Sequence, residues 1–184
     1  MEKNKLANQL RAFLPDESVL IEIEDQKPYE SDGLTAYRKL PLLTVIPETE
    51  AQVQQILRTC HAAGVPVVAR GSGTGLSGGA LPLENGVLLS LAKFSRILHL
   101  DPLGRTARVQ PGVRNLAISE AAVPHRLYYA PDPSSQIICS IGGNVAENSG
   151  GVHCLKYGLT VNNILALRVV TMEGEILELG STAL

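Results

Sequence analysis

The chain has 184 residues and a formal net charge of -2, with 45% hydrophobic and 18% charged residues. That balance fits a globular core of one large domain or two small lobes. It excludes a disordered segment and gives no basis for affinity to nucleic acid or anionic membrane. Aromatic residues make up 4%, with no Trp, too few for the stacking platforms of a single-strand binder.

Residues 3–14 predict a short amphipathic helix, with Leu6, Leu10, Phe13 and Leu14 at helical spacing and Pro15 ending it. This N-terminal stretch lacks a long apolar core, so neither a signal peptide nor a spanning segment is expected. The following DESVLIEIEDQKPYESDG is polar, holds at most one short strand, and is expected to cross the surface of the next unit. Residues 42–46 read as a strand. Thr49 with Gln52 makes a capping box for a helix carrying Val53, Ile56, Leu57 and Cys60 on one face, and Gly64 stands where a helix C-terminal glycine belongs. Residues 66–69 form the next strand. Strand, helix and strand in this length predict a right-handed crossover and hence a parallel pair.

Residues 86–91 read as a further strand. Residues 97–100 and 106–110 flank Asp101-Pro102-Leu103-Gly104-Arg105, a turn signal that predicts a hairpin. A short helix over 115–122 is stopped by Val123-Pro124, and residues 164–172 with 175–179 form a second hairpin around Glu173-Gly174. The result is an α+β fold: a helix and leading segment (1–39), a first lobe (40–92) and a second lobe (93–184).

Two stretches stand out. The first, VVARGSGTGLSGGALP, contains GTGLSG, which fits the dinucleotide pattern G-x-G-x-x-G. That pattern must open a helix. Here Gly78, Gly79 and Pro82 follow at once and a strand comes next, so a loop without a helix is predicted. A Walker A loop is excluded because the run contains no lysine. A plain connecting loop is the simplest reading. Successive backbone N–H groups beside Ser72, Thr74 and Ser77 suit an anion nest better, and a pyrophosphate is the ligand that nest fits. Arg70 stands at its mouth, with a buried salt bridge as its alternative role.

The second stretch, CSIGGNVAENSGG at 139–151, has two glycine pairs that would let backbone approach a large planar ligand. Asn144, Asn148, Ser149 and Thr160 supply neutral donors and acceptors nearby. Ser140 could equally be a helix N-cap.

ARGSGTGLSGGALP followed about fifty residues later by YAPDPSSQIICSIGGNVAENSGGVHCLKYGLTVNNILALRVVTMEGEIL resembles the FAD-binding domain of the FAD-linked oxidase family. This is the vanillyl-alcohol oxidase-like superfamily that includes D-2-hydroxyacid dehydrogenases. The resemblance implies two α+β subdomains with extended FAD between them. It implies that Arg70, Gly71, Ser72, Gly73, Thr74, Gly75, Leu76 and Ser77 form the pyrophosphate loop. Pro131, Asp132 and Pro133 would pass the flavin side of the cleft. Ser140, Ile141, Gly142, Gly143 and Asn144 would form a second glycine turn near the diphosphate and ring. Gly150, Gly151, Tyr157, Gly158, Thr160 and Asn163 would continue the flavin contact, and Ile176 would meet the adenine end.

Some relatives attach FAD through a histidine in the loop. The matching position is Thr74, so noncovalent FAD is implied. The family pattern continues past this chain's last strand into further flavin-contacting segments and a cap domain, which implies a C-terminally truncated piece that is inactive alone. At full length the resemblance implies oxidation of a small 2-hydroxy acid such as glycolate or D-lactate. Electrons would pass to flavin-like and iron–sulfur partner subunits, in the cytoplasm or peripherally at the inner membrane through those partners. The alternative is a noncatalytic flavin- or nucleotide-binding scaffold subunit.

The remaining reactive side chains point nowhere else. Cys60, Cys139 and Cys154 are odd in number with no Cys-x-x-Cys pair, as in a reduced cytosolic protein. His153-Cys154 lacks the second spaced pair that a tetrahedral metal site needs, so no metal is expected. His61, His99 and His125 have no acidic or nucleophilic partner at a telling spacing, and no catalytic base is assigned.

Overall fold

The computed structural model describes residues 3–181. Helix α1 (Lys3–Arg11) buries Leu6, Ala7 and Leu10. Strand β1 (Val19–Leu20) and the one-turn helix α2 (Ile23–Gln26) follow. This leading segment, expected to be superficial, is built into the core. Ser18, Val19, Gln26 and Asp32 are all buried, and the Gln26 side-chain amide donates to Leu20 O at 3.0 Å.

Strand β2 (Leu43–Val45), helix α3 (Glu50–Ala62), strand β3 (Val67–Arg70) and strand β4 (Val87–Ser90) complete the first sheet, in the order β1-β2-β4-β3. Thr49 caps α3 in the predicted capping box, accepting from Gln52 N while the Gln52 side chain accepts from Thr49 N. Gly64 follows with a φ of +65°. The predicted parallel arrangement holds with one correction. β2 and β3 are not neighbours, because β4 lies between them and pairs parallel with both. All four β4 residues are buried, as suits a central parallel strand covered on both faces. The core formed by α1, β2, α3 and β4 includes Leu10, Leu43, Val45, Ile56, Cys60 and Val87. Burial pushes the Cys60 thiol up to about 11.

Beyond it, β5 (Ile97–Asp101) and β6 (Thr106–Val109) form the first expected hairpin. Helix α4 (Asn115–Ala122) packs Ile118 with Val113 and Ile141 in a second, smaller core. Residues 140–144, expected as a glycine turn with Ser140 alternatively a helix N-cap, instead open helix α5 (Ile141–Glu147) with Ser140 at its N-cap position. Glycines are poor helix formers, but a Cβ at Gly142 would sit 2.7 Å from the Pro111 Cβ, so close packing there requires one. A single turn, α6 (Cys154–Tyr157), precedes the second hairpin, β7 (Ala166–Val170) and β8 (Ile176–Gly180). Among the described residues no helix is long and apolar enough to cross a membrane.

That hairpin docks on α3 through polar contacts. Gln54 and Arg58 donate to Gly174 O at 2.8 and 2.9 Å, and Arg168 reaches both carboxylate oxygens of Glu50 at 2.7 and 2.8 Å. The hydrogen bond from Arg168 holds the Glu50 carboxyl below its ordinary value of 4.5. A depressed carboxylate pKa adds stability that is complete above the unfolded value and disappears as pH falls through the folded one. Docking of the hairpin should therefore weaken below about pH 4.5. Amide exchange of β7 and β8 between pH 6 and 3 checks this. Glu50→Gln should remove the acid-side increase in exchange, and an increase of equal size in the variant would contradict it.

Candidate functional site

β3 runs directly into the glycine loop, which returns to β4 without a helix, as Gly78-Gly79 and Pro82 predicted. No N–H from Ser72 to Ser77 has a hydrogen-bond partner among the described residues. Six consecutive backbone donors are thereby left without a partner inside the chain, available to an anion.

The loop is held by residues outside the motif. Arg70 is buried, and its Nη1 donates to the carbonyls of Ser31 (2.8 Å), Ala80 (3.2 Å) and Tyr29 (3.4 Å). Its guanidinium lies 5.7 Å from the Tyr29 ring centre, and burial lowers its pKa. Arg70 thus joins the leading segment to the loop rather than making a salt bridge. Asp32 accepts from Gly78 N at 2.9 Å, and Gly33 N donates to Gly75 O at 2.9 Å. A Cβ at Gly33 would meet Thr74 O at 2.6 Å. Sequence reading missed both residues. The Ser31-Asp32-Gly33 turn signature was the available clue, but nothing local says what it braces.

α5 forms the opposite wall. A Cβ at Gly71 would lie 2.1 Å from Ser140 Oγ, so the missing side chain brings the two glycine-rich runs into contact. Ser140 occupies the N-cap position of α5 but makes no capping bond. Its Oγ is buried without a partner, and so is the Nδ2 of Asn144, one turn later. Buried polar atoms are normally satisfied, and an unsatisfied hydroxyl beside a loop of unpartnered donors is what a polar ligand would complete. Gly142 and Gly143 lie in the same turn. The exposed Ser77 hydroxyl reaches across to Glu147, at 2.8 and 2.7 Å from its two carboxylate oxygens.

A third wall comes from residues 131–133 and 148–163. Asn115 Nδ2 donates to Pro131 O at 3.0 Å. A Cβ at Gly151 would fall 2.2 Å from Asp132 O. Asp132 accepts from His153 N at 3.2 Å and pairs with its imidazole Nδ1 at 2.7 Å. Burial acts to raise the Asp132 pKa, but the His153 backbone and ring outweigh it and hold the carboxyl below its usual range. Tyr128, His153 and Tyr157 form a ring group with centroids 6.1–6.4 Å apart. Thr160 is buried and bonded through N and Oγ1 to Ser149 O, while Asn163 donates to Tyr157 O and Leu159 O. Gly150 packs on Leu159, and Gly158 has a φ of +78°. Leu76 projects outward, 68% exposed. Ile176 lies apart from this convergence, opposite Val170 in the second hairpin. An apolar groove between α5 and that hairpin is lined by Val145, Ile164, Leu167 and Leu179, not by Ile176.

The family profile described as FAD binding domain matches residues 41–180. The chain is 62% identical over all 184 residues to glycolate oxidase subunit GlcD of Escherichia coli (strain K12), covering 37% of that protein. It is 36% identical over 172 residues to D-2-hydroxyglutarate dehydrogenase of Xanthomonas citri pv. viticola, covering 94% of this chain and 36% of that one. Among solved structures, alkyldihydroxyacetonephosphate synthase superposes with a TM-score of 0.85 at 21% identity, over 96% of this chain and 35% of the other. The chain therefore spans little more than a third of the length of these proteins, and the last of them shares its fold.

Proposed function

Because this chain belongs to the FAD binding domain family, we propose that it is the FAD-binding part of a flavoprotein that oxidises a small 2-hydroxy acid, glycolate or D-lactate, to the 2-oxo acid. The observation that carries the cofactor assignment is the buried, unpartnered Ser140 Oγ set against Gly71 of the loop, with the likewise unpartnered Asn144 Nδ2 one turn later in the same helix. The names of the similar proteins, a glycolate oxidase subunit and a 2-hydroxyglutarate dehydrogenase, support the substrate class.

In this reading the N–H groups of residues 72–77 hold the diphosphate, and Ser140 and Asn144 meet the polar atoms that their burial leaves them to satisfy. The backbones of Ile141, Gly142 and Gly143 line the same wall. Asp132, kept ionised by His153, and the turns at Gly150-Gly151 and Tyr157-Gly158 border the ring end, and Ile176 the adenine end. With Thr74 at the attachment position, the cofactor is held noncovalently. FAD, when bound, supplies the two-electron chemistry that oxidises the C2 hydroxyl. The residues of this chain bind and orient, and none is assigned the removal of the substrate proton. A similar protein is a glycolate oxidase subunit, which supports an assembly; in our reading its flavin-like and iron–sulfur partners receive the electrons, in the cytoplasm or peripherally at the inner membrane through those partners.

The test is the absorption spectrum of the purified intact protein, followed by anaerobic addition of glycolate and of D-lactate. Expected is a flavin spectrum released by denaturation, bleached by one of the two acids. A flavin spectrum that no 2-hydroxy acid bleaches would favour the scaffold alternative. A colourless protein that does not take up added FAD would overturn the cofactor assignment.

A further inference from the structure

Glu147 ends α5 with its carboxylate against the glycine loop. Besides its contact with the Ser77 hydroxyl, its Oε1 would lie 2.5 Å from a Cβ at Gly79 and 4.0 Å from one at Gly75. Among the described residues no lysine, arginine or histidine forms an ion pair with it. The nearest cation in the motif, Arg70, has its Nη1 engaged by three carbonyls. A loop suited to an anion thus already has an uncompensated carboxylate resting on it.

A serine hydroxyl carries one proton. While Ser77 donates it to Glu147, that proton cannot serve a phosphate oxygen. A diphosphate seated on the same loop would also feel the carboxylate as a like charge only a few ångströms away. We propose that Glu147 competes with the diphosphate of FAD for the Ser77 hydroxyl and sets the affinity of the loop by opposing it. This rests on the FAD reading of the same loop. Glu147 is then a specificity-determining residue. It weakens the hold on every dinucleotide, keeps the cofactor exchangeable, and penalises most the ligands that carry more negative charge at the loop.

The test measures FAD dissociation constants by flavin fluorescence quenching, on the intact protein stripped of flavin, for the wild type, Glu147→Gln, Glu147→Ala, Ser77→Ala and the Glu147→Ala/Ser77→Ala double variant. The position is exposed near a helix end, where both replacements are tolerated. Glu147→Gln should bind FAD about fivefold more tightly at low salt, the size expected of one nearby like charge at a solvated surface. The gap should narrow as salt screens that charge. Ser77→Ala should change affinity less than about twofold in the wild type, where the hydroxyl is already committed. In the Glu147→Ala background, where it is released, the same change should weaken binding by about fivefold. Equal or weaker FAD binding in both Glu147 variants would overturn the proposal and make the carboxylate a brace for the loop. A wild type that binds no FAD would instead overturn the cofactor reading itself.

Discussion

Gly151→Ala is expected to destabilise the chain by about 2–3 kcal/mol, the upper part of the range for an overpacked site, and to abolish retention of FAD by the intact protein. The added Cβ would stand 2.2 Å from Asp132 O and 2.4 Å from its carbonyl carbon. Backbone has to give way, and little of it can. Pro131 and Pro133 flank Asp132 and are buried, and Pro131 O is held by Asn115. Separating the two segments also breaks the pairing of Asp132 with His153. Gly150→Ala is the control. Its Cβ would meet the end of the exposed Leu159 side chain, at 2.6 Å, which can rotate away, and Cys154 Cβ at an ordinary 3.7 Å. Urea unfolding and flavin content after gel filtration measure both variants. Stabilities within about 0.5 kcal/mol of each other, the scatter of unremarkable substitutions, would contradict the assigned packing.

The second large effect separates holding the loop from holding the ligand. Gly73→Ala should lose FAD and also about 2 kcal/mol of stability. Its φ of +69° disfavours any L side chain, and its Cβ would lie 2.3 Å from Arg70 Nη2. The guanidinium cannot retreat without releasing three carbonyls. Gly75→Ala meets nothing closer than 4.0 Å, and its φ is not positive. It should fold as the wild type does yet retain FAD at least tenfold less well, because on the FAD reading of the loop the methyl group takes space that the diphosphate needs. Thermal unfolding together with FAD titration resolves the two. Wild-type affinity in Gly75→Ala would remove that residue from the site.

What the sequence disclosed, and what it withheld, follows from the range of the forces involved. The Thr49–Gln52 cap, both hairpins and the helix-free glycine loop are decided by chemistry within a few residues, and each was readable. The place of β4 between β2 and β3 depends on which edges pair across 40 residues, and hydrophobic patterning cannot order strands. α5 was expected as a turn, with only the N-cap alternative for Ser140 pointing to it, because two glycines give no local helix signal, whereas the close packing of Gly142 on Pro111 favours a helix. The motif residues of the site were legible as types suited to a dinucleotide. Arg70's direction was not, and neither were the bracing by Asp32 and Gly33 or the reach of Glu147 to Ser77. Each of those is a contact between segments distant in sequence.

The position of β4 also sets an order of events during synthesis. β2 and β3 have no hydrogen bonds to each other and share only β4, which the ribosome delivers after both. Until residues 87–90 emerge, the nascent chain carries the β1–β2 pair and the lone strand β3, unjoined and with open edges, the kind of surface that invites mispairing. When β4 inserts, it closes the loop 71–86 in the same movement, and the entropy of that closure opposes the step. The loop therefore gains its shape no earlier than the sheet does. A chain stalled before Val87 has neither, and a chain that has completed its first core already displays the loop's backbone donors.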